Sequence, residues 1–251
     1  MGGLFFFRCI KDGISSGGRV VNGSRQNGNT QSMGNFYMIK RLNSLKTLLL
    51  ILLAGVGHNL LATRLQDDLK QAGVDWKEGH IYTAGAKQPA TLSTLLDSNR
   101  ELLIMETGFN AGFSSELFLS VYPHSKVISF DLGSHRYVAV AKRLIDQYFP
   151  CRHTLVLGNS VTTLPKFIHE SDGLKADVIF IDGGHSKAVA LADIRHFREL
   201  ATPETIVVID DYSMRPVAEA INECVQNGIF FIERTETDQH KKWVVGRYIC
   251  P

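Results

Sequence analysis

Residues 102–114 read LLIMETGFNAGFS, and this stretch decides the fold. Its first part, 102–106, predicts a short strand, and the pattern of 113–121 predicts a helix. Gly108 and Gly112 lie between the two elements and let the backbone turn tightly and come close to a ligand. The helix N-terminus offers unpaired N–H groups to an anionic group, and Ser114 adds a hydroxyl there. The stretch therefore predicts a strand–turn–helix unit that binds a ligand at its turn.

The same alternation of strand and helix continues along the chain and predicts an α/β fold. Four further strands, each followed by a helical pattern, are predicted at 127–131, 154–157, 177–182 and 205–210. Five such β-α units predict a Rossmann-like, doubly wound and mostly parallel sheet. Two last strands, 229–233 and 243–249, are joined by a polar turn at 235–242 that is too short for a helix. The sequence therefore predicts seven strands with an antiparallel last pair at one edge.

The region before the sheet divides into three segments. Residues 1–37 are rich in glycine and lack an apolar period, which predicts a disordered leader. Residues 38–65 carry a basic flank and an apolar run at 47–62, which predicts a signal peptide or membrane anchor and a membrane or secretory location. A packed helix in a cytoplasmic protein is the alternative. Residues 66–99 are predicted to form a helical cap, and 100–251 the ligand-binding domain.

Composition excludes two classes of function. The net charge is +2, with basic and acidic residues interleaved, so no nucleic-acid partner is expected. The four cysteines, Cys9, Cys151, Cys224 and Cys250, include no C-x-x-C pair, which disfavours zinc and thioredoxin-type chemistry.

Polar residues follow the second and third predicted strands, at the edge where such sheets bind ligands. Asp131 ends the second strand, where a carboxylate can accept hydrogen bonds from two ribose hydroxyls. A helix-capping role for Asp131 is the alternative. Asn159 and Ser160 follow the third strand and can contact an adenine edge, cap a helix, or do both. These residues predict an adenosine-containing ligand.

The fourth and fifth strands end in carboxylates. Asp182, Asp210 and Asp211 are expected to converge at one rim of the sheet, and an oxygen-rich cluster suits Mg²⁺ or a similar divalent cation. Without a cation, each carboxylate would disfavour ionisation of the others. His185 lies in the loop after Asp182 and can accept a proton from a substrate hydroxyl near neutral pH. An ordinary surface histidine is the alternative.

Together these segments resemble class I methyltransferases that use S-adenosylmethionine (SAM). Within these, residues 100–250 are similar to catechol-type O-methyltransferases and to the broader group with an Ile-Asp-Gly-x-His motif. The resemblance is carried by ETGFNAGFS at 106–114, Asp131, GNS at 158–160, IDGGH at 181–185 and IDD at 209–211. The catechol enzymes have lysine where this chain has His185 and asparagine where it has Asp211. Both departures favour the Asp-Gly-x-His group.

The resemblance implies a role for each matching residue. Glu106, Gly108, Gly112 and Ser114 would frame the methionine part of SAM. The full cofactor-binding set is Glu106, Thr107, Gly108, Asn110, Gly112, Ser114, Asp131, Asn159, Ser160 and Asp182. The predicted metal ligands are Asp182, Asp210 and Asp211, and the predicted catalytic residues are His185 and Asp182. The implied reaction is metal-assisted methylation of a small hydroxylated acceptor.

Three other interpretations stay open. A nicotinamide-dependent oxidoreductase shares the fold, but it normally carries G-x-G-x-x-G, and Asn110 stands at its second glycine. A non-catalytic binding module is the second alternative, because a fold alone does not fix function. The third is a nitrogen acceptor, which would not need the three aspartates. Trp76, Tyr82, Tyr212 and Met214 are candidates for an acceptor pocket, and the oligomeric state is not predicted.

Overall fold

A computed structural model describes residues 64–79, 85–239 and 241–249. Its seven-stranded sheet has the order β3-β2-β1-β4-β5-β7-β6. The strands are β1 (Leu103–Thr107), β2 (Lys126–Asp131), β3 (His153–Leu157), β4 (Val178–Ile181), β5 (Ile206–Ile209), β6 (Phe230–Asp238) and β7 (Lys241–Tyr248). β1 to β5 are parallel, and β7 pairs antiparallel with both β5 and β6. The predicted fold class is confirmed, including the antiparallel last pair.

Helices connect the strands from β1 to β6, as the alternating pattern predicts, and two more precede β1. They are α1 (64–71), α2 (Lys87–Ser93), α3 (Phe113–Val121), α4 (Arg136–Tyr148), α5 (Ser160–Glu170), α6 (Lys187–Phe197) and α7 (Arg215–Gln226). In α4, Val138, Ala141 and Ile145 recur at helical spacing and are all buried. One apolar face of α4 therefore packs on the sheet, and its polar face meets solvent.

The centre of the sheet is apolar on both faces. Ile104 of β1 and Val178 and Phe180 of β4 are fully buried, and Phe118 of α3 packs edge-on against Phe180 with ring centroids 6.0 Å apart. Burying such a side chain contributes about 1.5–3 kcal/mol to folding. This core holds the carboxyl ends of β1 and β4 in fixed positions.

The final hairpin is longer than the sequence predicted. The polar turn predicted at 235–242 is wrong, because β6 extends to Asp238 and β7 begins at Lys241. Glu236 pairs with Trp243 within this extension, beyond an irregularity between Ile232 and Arg234. An edge strand exposes most of its side chains, so β6 can be polar and still pair through its backbone. The hairpin thereby brings Lys241 beside the end of β5.

Two predictions lie outside the described residues: the leader at 1–37 and the apolar run at 47–62. Within 64–79, 85–239 and 241–249, no helix has both the length and the apolar character needed to span a bilayer. The membrane or secretory location therefore stays a prediction.

Candidate functional site

A cavity of about 600 Å³ opens at the carboxyl ends of the parallel strands. It lies where the strand order reverses between β1 and β4, the expected ligand position in an open α/β sheet. Ten residues of the predicted site line it: Thr107, Gly108, Asn110, Ser114, Asp131, Asn159, Ser160, Asp182, His185 and Asp211. The strand ends therefore bring most of the predicted site together.

The turn after β1 approaches the loop after β4 very closely. Gly108 has φ +90°, and its N–H donates to the Phe130 carbonyl over 2.8 Å. A Cβ at Gly108 would collide with the carbonyl oxygen of Asp182. Gly112, at φ +82°, directly precedes α3, whose first turn carries Ser114 into the cavity wall. Both glycines are therefore required by backbone geometry, as the motif indicated.

Asp131 is held by two backbone groups. Its Oδ1 accepts from the Gly133 N–H over 2.7 Å, and its Oδ2 accepts from the Asn110 N–H over 2.8 Å. α4 begins later, after His135, so Asp131 does not cap it. The carboxylate therefore faces the cavity in a fixed orientation, with lone pairs left for ligand hydroxyls.

Asn159 caps α5 and also lines the cavity. Its side chain accepts from the Val161 N–H over 3.0 Å, so the cap falls on Asn159 and not on Ser160. Its amide N–H₂ group is left to donate to a ligand. Ser160 lines the same wall at the first turn of the helix.

Glu106 lies beneath the cavity and not in its wall. The side chain is fully buried, and its Oε1 accepts from Ser115 Oγ and, over 2.7 Å, from Ser129 Oγ. Ser129 Oγ also lies 2.8 Å from Nε2 of buried His153. Burial raises the pKa of Glu106, against the effect of the serine hydroxyls. The predicted direct contact of Glu106 with the cofactor is thus corrected to an internal hydrogen-bond network.

His185 and Asp211 form a pair on the cavity wall. His185 Nε2 lies 2.9 Å from Asp211 Oδ2. This hydrogen bond raises the pKa of His185 above its usual value, while burial opposes the rise. Burial acts to raise the pKa of Asp211, but His185 and Lys241 outweigh it and lower that pKa. The pair therefore makes the His185 imidazole a stronger base beside an ionised Asp211 carboxylate.

Asp210 does not join this wall, contrary to the prediction that it is a metal ligand. It is 1% exposed, and its Oδ2 accepts from Lys241 Nζ over 2.7 Å. Its Oδ1 accepts from the Asp211 N–H over 2.8 Å. The strand end places Asp210 inward, and Asp211 leaves the strand at φ +56° toward the cavity.

The group that could hold a metal ion is Asp182, His185 and Asp211. One ligand atom from each lies within 4.8 Å of the others. Burial raises the pKa of Asp182 well above its usual value, and Asp210 adds to the rise. A divalent cation would offset this penalty, and carboxylate and imidazole groups are suitable ligands for one. Asp182 and Asp211 therefore fit a divalent cation, and His185 lies within reach of the same ion.

Three ionisable lining residues were missed from the sequence: Glu78, His135 and Lys241. His135 stacks on Tyr137 with ring centroids 4.9 Å apart, and its Nε2 lies 3.4 Å from Glu78 Oε2. The Glu78 carbonyl accepts from Asn110 Nδ2 over 2.9 Å, which holds the segment 76–79 over the turn after β1. No motif marks these residues, since loops and a hairpin carry them.

Three of the four candidates for an acceptor pocket lie outside the cavity wall. Trp76, Tyr212 and Met214 do not line the cavity, and Tyr82 lies outside the described residues. Trp76 is 65% exposed and packs against His135 from outside. Tyr212 lies under Lys242, whose Nζ is 5.0 Å from the ring centroid.

Comparison with known proteins gives one family match. Residues 105–212 match the family model described as a methyltransferase domain. No curated protein matches the chain. The matched range includes the turn after β1, Asp131 and the His185–Asp211 pair.

Solved structures share the fold at low sequence identity. CalS11, a TDP-rhamnose 3'-O-methyltransferase of calicheamicin biosynthesis, is 16% identical with a TM-score of 0.55, covering 76% of this chain and 94% of its own. Cofactor-bound Rv0187 from MTB is 17% identical with a TM-score of 0.55, and the match covers 78% of this chain and 89% of Rv0187. A precorrin-6y C5,15-methyltransferase from Geobacter metallireducens is 14% identical with a TM-score of 0.52, and the match covers 69% of this chain and 92% of that enzyme.

These structures support the fold and leave the acceptor open, since their names include different acceptors. The family match favours the methyltransferase interpretation over the nicotinamide-dependent one. The strand order and the antiparallel last pair agree with it. Residues 105–212 are therefore similar to a methyltransferase domain, in a fold that solved methyltransferase structures share.

Proposed function

We propose that this protein is a SAM-dependent O-methyltransferase that acts on a small hydroxylated acceptor. The observation that carries the proposal is the His185–Asp211 pair, 2.9 Å apart on the cavity wall. A hydroxyl is a poor nucleophile until a base removes its proton. An amine acceptor with a free lone pair would not need such a pair.

The proton path follows from the hydrogen bond that His185 already makes. With Nε2–H donating to Asp211, Nδ1 of a neutral imidazole is left to accept a proton. The acceptor hydroxyl would give its proton to Nδ1 while its oxygen takes the methyl group, and the electron pair of the broken carbon–sulfur bond would stay on sulfur. Asp211 stabilises the imidazolium that forms, as the carboxylate does in a Ser-His-Asp triad.

The lining residues supply cofactor binding in the proposal. SAM supplies an electrophilic methyl group on a sulfonium. Asp131 would accept from the ribose hydroxyls, and the amide of Asn159 would contact the adenine. The first turn of α3 with Ser114 would meet the carboxylate of the methionine part. In-line positioning of oxygen, methyl and sulfur is then the main contribution to rate.

Metal assistance forms a separate part of the proposal. Asp182 and Asp211 would hold the divalent cation, which would lower the pKa of the acceptor hydroxyl. His185 is within reach of the same cation. An imidazole nitrogen that ligates a metal cannot accept a proton. We therefore assign His185 the role of proton acceptor and not that of metal ligand.

The test is a turnover screen of the full-length protein with SAM and a panel of phenols, sugars and amines. We expect methylated hydroxyls, and His185→Asn should lower kcat by about 10²-fold or more at unchanged SAM affinity. His135→Asn is the matched control, because it removes another histidine–carboxylate pair from the same cavity. Preference for amines, or full turnover in His185→Asn, would refute the proposal.

The metal part has its own readout. Turnover should fall in EDTA and return with Mg²⁺ or Mn²⁺. Manganese affinity in His185→Asn then separates the two roles of the histidine. A manganese affinity equal to that of wild type would support His185 as the base. A large loss of affinity would show that His185 is a metal ligand.

A further inference from the structure

Lys241 places a positive charge beside the carboxylates of the cavity. It is the first residue of β7, and its side chain is 20% exposed at the cavity wall. Nζ donates to Asp210 Oδ2 over 2.7 Å and to Gln88 Oε1 over 3.3 Å. The ammonium is thus fixed from two sides and does not swing freely in solvent.

The partner of Lys241 is a buried carboxylate. The Asp210 side chain is 0% exposed. Its other oxygen accepts from the backbone N–H of Asp211 over 2.8 Å. Breaking the pair would leave a buried charge uncompensated, which is strongly unfavourable. The Lys241–Asp210 pair therefore persists unless another cation replaces the ammonium.

The ammonium also acts on the two carboxylates that face the cavity. Asp182 and Asp211 both interact electrostatically with Lys241. A divalent cation held by Asp182 and Asp211 would lie in the repulsive field of this ammonium. The same carboxylates would therefore have two alternative counter-ions.

We propose that Lys241 is the resident counter-ion of the carboxylates at the ends of β4 and β5, and that it competes with a divalent cation for them. Lys241 keeps Asp210 out of the coordination sphere and sets the affinity of the site for metal. The proposal rests on the proposed function only for the place of the cation. Metal binding without SAM or acceptor tests it separately.

The experiment measures Mn²⁺ binding to the full-length protein by electron paramagnetic resonance titration, without SAM. Lys241→Met should bind Mn²⁺ at least about tenfold more tightly than wild type, because one repulsive charge is removed and Asp210 is released. Lys242→Met is the matched control, because Lys242 lies over the Tyr212 ring and does not line the cavity. Its Mn²⁺ affinity should equal that of wild type.

Two further variants keep the test decisive. Lys241→Gln removes the charge but retains a hydrogen-bond donor for Asp210. It replaces Lys241→Met in the Mn²⁺ titration if Lys241→Met does not fold. Adding Asp182→Asn to the charge-removing variant should abolish the gain, which locates the ion at this cavity. Unchanged or weaker Mn²⁺ binding in the folded Lys241 variant would overturn the proposal. So would an equal gain in Lys242→Met.

Discussion

The backbone N–H of Asn110 donates to Asp131 Oδ2 over 2.8 Å and joins the turn after β1 to the end of β2. The other oxygen of Asp131 accepts from the Gly133 N–H over 2.7 Å. The carboxylate is therefore oriented before any ligand arrives. Preorganisation of this kind reduces the entropy lost on binding.

The first prediction concerns Asp131→Asn. The amide would direct an N–H₂ group at one of the two backbone N–H groups, so one hydrogen bond is lost and two donors face each other. We expect SAM affinity to fall at least about tenfold in calorimetry. Asp97→Asn is the control, because Asp97 also accepts a backbone N–H, from Asn99, but lies outside the cavity. SAM affinity retained in Asp131→Asn would show that Asp131 does not hold the ribose.

The second prediction concerns Gly108→Ala. A left-handed φ costs a non-glycine residue about 1–2 kcal/mol, and the collision with the Asp182 carbonyl adds to it. We expect a loss of about 3 kcal/mol or more in the free energy of unfolding, measured in urea. Gly173 has φ +77°, and a Cβ added there would have no atom within 4 Å. Gly173→Ala therefore measures only the free-energy cost of a left-handed backbone at a non-glycine residue. Equal losses in both variants would show that the close approach at Gly108 is relaxed in solution.

The third prediction concerns Asn110→Gly, which removes the side chain that holds the Glu78 carbonyl. Asn110 has φ +51°, a conformation glycine adopts freely, so the variant should not strain the turn. We expect faster proteolysis within 76–79 and faster SAM dissociation in stopped flow. Gln239→Gly replaces another residue with positive φ, 48°, in the turn between β6 and β7 and should change neither rate. Unchanged dissociation would mean that the segment 76–79 does not retain the cofactor.

The fourth prediction concerns acid sensitivity. Burial lowers the pKa of His153 to about 3, with a smaller effect from the charge of Lys142. The unfolded chain takes up this proton near pH 6.5 and the folded chain does not. Stability from neutral His153 is therefore complete above about pH 6.5 and is lost as the pH falls toward about 3. The loss amounts to about 2 kcal/mol at pH 5.

Urea unfolding at pH 7.5 and 5.0 checks this prediction. His153→Gln should lose less stability between the two pH values than wild type, because the titrating group is gone. The raised pKa of Glu106 is present in both proteins, so the comparison isolates His153. His124→Gln, at an exposed position, should behave as wild type. Identical pH dependence in His153→Gln and wild type would contradict the assignment.

The parallel part of the fold could be predicted because its strands are continuous apolar runs with polar ends. Asp131 and Asp182 stand at the ends of such runs, so the sequence alone predicts both at the same edge of the sheet. A sequence does not show which face a strand-end side chain takes. Side chains alternate along a strand, so Thr107 lines the cavity and Glu106 points away from it.

The missed parts have a different cause. Lys241 comes from an edge hairpin whose polar side chains hide its pairing, and Glu78 comes from a loop. Both reach the cavity through contacts between residues far apart in sequence, Asp210 with Lys241 and Asn110 with Glu78. Local patterns carry no information about such contacts. Asp210 was wrongly predicted as a metal ligand for the same reason, because its contact with Lys241 cannot be read from a local pattern.

Because β7 pairs with β5, the charge of the cavity depends on the number of residues between Lys241 and Val244. Ile209 pairs with Val244, and this pairing fixes which face of β7 carries Lys241. One residue inserted or deleted between Lys241 and Val244 would turn the ammonium to the opposite face. The turn after β1 and Asp131 would remain unchanged. Two proteins with identical cofactor motifs could therefore differ in metal dependence through a one-residue difference in this segment.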